Sequence, residues 1–173
     1  MADRAGAQHS GLIRAGILPQ ILRSWRAPSA VARDLRGMPD RVQLALLMVA
    51  MLLFFIAQLP VHARAAELNP SIPLNARIAG AFFAVMFLLP PILYFLATVI
   101  AALSRILPRR VQPADSRLAL FWALLAVSPA MLLAGLVKGF VGPGTALGLV
   151  QVVSALGFIC IWGGALYALS ERS

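Results

Sequence analysis

Four stretches of this chain contain no Asp, Glu, Lys, Arg or His: Val42–Val61, Ile78–Ser104, Leu118–Val137 and Gly139–Ser170. A helix needs about 20 uncharged, mostly apolar residues to cross about 30 Å of hydrocarbon. Four such runs in 173 residues leave room for little else. An all-α, polytopic transmembrane helical bundle of four spans is therefore expected, at about 42–61, 78–104, 118–137 and 146–169. Charged residues make up 12% of the chain, against about 25% in soluble domains. A basic N-terminal segment, 1–41, precedes one transmembrane domain, 42–170.

The arginines set the orientation. With the N-terminus in the cytoplasm, that side holds Arg4, Arg14, Arg23, Arg26, Arg33, Arg36, Arg41, Arg105, Arg109, Arg110, Arg117 and Arg172. The other side holds Arg64, Arg77 and Lys138. Short cytoplasmic loops retain excess Lys and Arg, so this division places both termini in the cytoplasm. Trp122 and Tyr167 near the cytoplasmic ends of their spans agree with it. The net charge of +9 flanks membrane spans and shows no basic stripe with interleaved aromatics. Anionic headgroups at the cytoplasmic face are thus the expected partner, and nucleic acid is not. No cleavable signal peptide is expected, because Arg14, Pro19, Arg23 and Arg26 interrupt every early apolar run.

Between Ser10 and Pro39, two short amphipathic helices are expected at the cytoplasmic interface. Ile17, Leu18, Ile21, Leu22 and Trp25 share one helical face, and Val31 and Leu35 share another. Pro19 and Pro28 suit first helical turns. Arg23, Trp25, Arg26, Arg33 and Arg36 are the candidate lipid- or partner-facing residues; the same segment also serves as a positive anchor for the first span. Met1–His9 is expected to be disordered.

Prolines distinguish the spans. Pro90 and Pro91 lie mid-way along the second, where a kink or break is expected. Ser128 and Pro129 mark a second kink in the third span, with Ser128 bonding a carbonyl freed by the distortion. Gly142-Pro143-Gly144 reads as a tight turn. Gly135 and Gly139 have the spacing that brings helices close, as do Gly80 with Ala84, Ala130 with Ala134, and Gly164 with Ala168.

No residue set for catalysis emerges. The mid-span polar residues are Thr98, Ser128, Gln151, Ser154 and Cys160, and no Asp, Glu, Lys, Arg or His is among them. His62 and Glu67 share an extramembrane loop but fall short of a metal site's ligand number. Cys160 has no partner for a disulfide. No enzyme activity, cofactor or metal is expected.

Three segments in order carry a resemblance: ILRSWRAPSAVARDLRGMP before a smooth first span, then FAVMFLLPPILYFLATVIAALSRIL, then SRLALFWALLAVSPAMLLAGLVKGFVGPG. Together they resemble the bacterial branch of the Yip1-domain family of small polytopic membrane proteins, over about Ile21 to Leu169. The resemblance implies a non-enzymatic inner-membrane protein acting as a scaffold or accessory, with a membrane-protein partner or as a homo-oligomer. Eukaryotic members bind small GTPases through an N-terminal aspartate–leucine–tyrosine–glycine–proline motif. Asp34-Leu35-Arg36-Gly37 does not match that motif, so GTPase binding does not carry over. The family pattern has five spans where this chain has four. The alternative is a small transporter or channel using the kinked second and third spans.

Overall fold

The computed structural model describes residues 16–106 and 109–172. Met1–His9, Arg4 and Arg14 lie outside the described residues. Six helices follow in order: α1 (Ile17–Ser24), α2 (Pro28–Asp34), α3 (Asp40–Leu68), α4 (Leu74–Ser104), α5 (Pro113–Val141) and α6 (Thr145–Leu169). The last four are each long and apolar enough to cross a membrane, with mean hydropathy of 2.0–2.5 over their most apolar stretches. The chain is therefore an all-α multi-pass membrane protein. A two-residue antiparallel pairing of Arg109–Arg110 with Glu171–Arg172 ties the α4–α5 connection to the end of α6.

Interactions at the helix ends fix the up-down order. Arg117 on α5 bonds Asp40 at the start of α3 at 2.8 Å, and Arg109 stacks over the Tyr167 ring near the end of α6, 4.1 Å from its centroid. The arginine-rich connections thus gather at one end, hereafter the basic end. At the opposite end, Arg64 on α3 donates to the carbonyls of Gly139 and Phe140 on α5, at 3.3 and 3.4 Å. These are last-turn carbonyls with no helical partner of their own, which a cation caps well. Gly142 then turns the chain with φ of 93° into Pro143-Gly144 and α6, so the expected tight turn is present.

Helix α5 is the axis of the bundle. It packs against α3, α4 and α6, and half of its apolar stretch is buried, against 22–28% in the other three. Its contact with α3 depends on small residues. A Cβ at Gly135 would overlap the backbone of Ala57, and one at Gly139 would overlap Pro60. The Gly135–Gly139 spacing therefore does what its sequence pattern suggests: it lets two backbones touch where no hydrophobic drive separates helix from lipid. Gly80 has open space around its Cβ position, so the same spacing there makes no helix contact.

The prolines interrupt the helical ladder without ending either helix. A Pro ring excludes the carbonyl four residues earlier, which for Pro90 and Pro91 means Met86 and Phe87. The backbone widens into a π-turn over Ala84–Leu88, absorbing both exclusions without ending α4. In α5, Pro129 leaves the Leu125 carbonyl without its usual donor, and the Ser128 hydroxyl donates to that carbonyl at 2.8 Å. Thr98 likewise bonds within its own helix, to the Tyr94 carbonyl. Helix α3 runs on to Leu68, so His62 and Glu67 sit in its closing turns, not in a loop. An uncharged window marks only the hydrocarbon-length core of a helix, which continues wherever the next residues still favour it.

Gly135→Val should force α3 and α5 apart. Overlap with backbone leaves no flexible side chain to yield, so a loss of at least about 3 kcal/mol is expected, at the top of the overpacking range. Thermal unfolding in detergent should show a large drop for this variant and almost none for Gly80→Ala.

Candidate functional site

The residues singled out before α3 form a hairpin packed against the bundle. Helix α2 lies along α6 and α1 touches α5. Between them, Ser24 and Trp25 exchange hydrogen bonds with α5. The Trp25 indole N–H donates to the Ala126 carbonyl at 3.0 Å, and the Trp122 indole N–H donates to the Ser24 hydroxyl at 2.9 Å. Ser24 passes its own proton to the Gln20 carbonyl at 2.8 Å, closing the chain of bonds. Ser128 and Trp25 thus serve two adjacent carbonyls, those of Leu125 and Ala126.

Glycines on α6 make room for the hairpin. The Trp25 ring occupies the place of a Gly157 side chain, and Pro28 Cγ lies 2.9 Å from where the Gly164 Cβ would be. Val31, Ala32 and Leu35 are buried with Ile21 in the same core. The apolar stripe foreseen on α1 is divided: Ile21 turns inward, while Leu18 and Leu22 are over 70% exposed. Trp25 remains 39% exposed although its ring lies against Gly157.

The four candidate arginines have different surroundings. Arg23 pairs with Asp34 across the hairpin at 3.1 Å, with both side chains exposed, a contact worth at most about 1 kcal/mol. Arg36 reaches Asp115 at 3.2 Å, whose side chain is only 10% exposed, and so ties the hairpin base to α5. Arg26 and Arg33 are exposed and form no ion pair among the described residues. Among the described residues the hairpin thus offers two free cations, Arg26 and Arg33, while Arg23 and Arg36 are engaged in ion pairs.

The hairpin makes the basic half of α5 a closed core. From Asp115 to Ser128 every residue is buried except Arg117 and Leu124. The polar groups there are matched: Ser116 donates to the Ala97 carbonyl at 2.8 Å, and Tyr94 packs edge-on against Phe121 at 4.9 Å. Beyond Ser128 the helix opens. A cavity of about 640 Å³ lies between α3, α5 and α6, running from Leu124 and Phe158 to His62 and Lys138. Its inner part is apolar; Gln58, His62, Lys138 and Gln151 line it toward the end opposite the basic one.

This cavity was hardly legible from the residues alone. Gln58 and His62 are four residues apart and so share a helical face, but their meeting with Lys138 depends on the α3–α5 register. Gln151 lines the cavity, while Ser154 bonds its own helix at the Val150 carbonyl, 2.7 Å away. Cys160 is exposed on α6. Among the described residues no group of three or more His, Cys, Asp or Glu side chains gathers. No family model, curated protein or solved structure matches the chain.

Trp25→Phe keeps an aromatic ring but removes the donor to Ala126, and should cost about 1 kcal/mol. Trp25→Ala also empties the space beside Gly157 and should cost about 2–3 kcal/mol, below a fully buried truncation because the side chain is partly exposed. Leu18→Ala should stay within about 0.5 kcal/mol. Denaturation of the three purified variants in the same detergent checks the order.

Proposed function

We propose that this chain is a non-catalytic scaffold or accessory protein of a bacterial inner membrane, Yip1-like in character, with both termini in the cytoplasm. The observation that carries this reading is the closed basic half of α5. Transport through a bundle requires polar or ionisable groups along a wettable path. Here the outward cavity ends against Leu124 and Phe158, and α5 beyond it is buried from Leu125 back to Asp115 apart from Leu124 and Arg117, with its own Ser116, Trp122 and Asp115 side chains paired. That arrangement favours a scaffold over the transporter or channel alternative.

The free cations Arg26 and Arg33 and the arginine-rich α4–α5 connection are then the surface for anionic headgroups and for a membrane-protein partner. Charge asymmetry across the bundle supports the cytoplasmic placement of that surface.

Two measurements test the reading. In the Cys160→Ser background, Ser71→Cys should react with a membrane-impermeant maleimide in spheroplasts, and Arg33→Cys only after lysis. The reverse pattern would invert the topology. Liposomes containing the purified chain should show no proton or potassium flux above empty liposomes. Flux that rises with protein content would replace the scaffold by a channel.

A further inference from the structure

The end opposite the basic one carries three cations, and two of them are used by the fold. Arg64 caps α5 at Gly139 and Phe140. Arg77 donates to the carbonyls of Ile72 and Asn69, at 3.1 and 3.2 Å, and so ties the α3–α4 connection. Lys138 makes no hydrogen bond or ion pair among the described residues, and it borders the cavity. An ammonium group there has only water or an incoming anion to satisfy it.

His62 and Gln58 line the same rim from α3. Gln151, exposed on α6, faces the same space. Inward from these groups the lining is Phe54, Val127, Met131 and Phe158. From Lys138 to Leu124 the cavity follows α5 for about 21 Å, at about 1.5 Å per residue. Its volume falls within the about 300–1,000 Å³ typical of small-molecule sites.

We propose that this cavity is a lipid site: it takes one acyl chain of an anionic phospholipid from the Lys138-side leaflet, with the phosphate at Lys138 and the ester region at Gln151. The polarity gradient matches an amphiphile whose tail points to the bilayer centre. One unpaired lysine matches the single negative charge of a phosphodiester. A neutral head would leave that cation unanswered. The site needs only the membrane setting, so it stands or falls separately from the scaffold role.

The full chain is reconstituted with equal amounts of phosphatidylglycerol and phosphatidylcholine, extracted in mild detergent, and its retained lipid is read by native mass spectrometry. Wild type should retain phosphatidylglycerol in preference. Lys138→Gln should cut that preference about fivefold, the effect of one cation near a membrane surface. In the Arg26→Gln/Arg33→Gln background, where the headgroup surface of the basic end is weakened, Lys138→Gln should still cut the remaining preference about fivefold, separating the cavity from the basic end. Ala155→Phe, which fills the cavity from α6, should lose both lipids while keeping the wild-type melting temperature. Equal retention of the two lipids by wild type overturns the proposal. So does an undiminished preference in Lys138→Gln, or full lipid retention by a folded Ala155→Phe.

Discussion

Two indole N–H groups pointing in opposite directions join the hairpin to the bundle axis. Trp25 donates to the backbone of α5, and Trp122 of α5 donates back to the neighbouring Ser24. In a low-dielectric interior an unpaired donor is costly, so each bond holds its partner segment in one place. The remaining architecture follows from that placement. Gly157 and Gly164 must be small because Trp25 and Pro28 lie against them. The Arg36–Asp115 pair closes the base, and the basic half of α5 becomes a sealed core.

That seal divides the molecule. At the basic end, every large side chain on α5 from Leu118 to Leu125 is buried except Leu124. At the other end a cavity lies between α3, α5 and α6, with Lys138 and Gln151 at its rim. Pro129 stands at the boundary. Its missing N–H frees a carbonyl that Ser128 takes up, and the next carbonyl, that of Ala126, accepts from Trp25. A residue that in isolation weakens a helix here supplies acceptors for the packing around it.

The four spans were legible because lipid requires long charge-free helices, a demand written residue by residue. Pro90, Pro91 and Pro129 were legible as ladder defects, and Ser128 as the repair, since those effects are local in sequence. The hairpin's inward turn was not. Its apolar stripe is equally suited to lipid and to a bundle groove, and the groove exists only once Gly157 and Gly164 meet it. The cavity was hidden for the same reason: Gln58, His62, Lys138 and Gln151 come from three helices, and helix register is not encoded by composition or spacing.

The central claim is that the N-terminal hairpin is an inserted part of the bundle and not a separate arm on its surface. Pro28 Cβ lies 3.3 Å from the Cβ position of Gly164, close to the separation of about 3.5–4.5 Å that a disulfide spans. Cysteines at Pro28 and Gly164, with Cys160→Ser, should therefore cross-link almost completely in native membranes under mild oxidation. A pair that stays reduced, while the same protein is folded and both thiols react with alkylating reagent, would contradict the inserted hairpin.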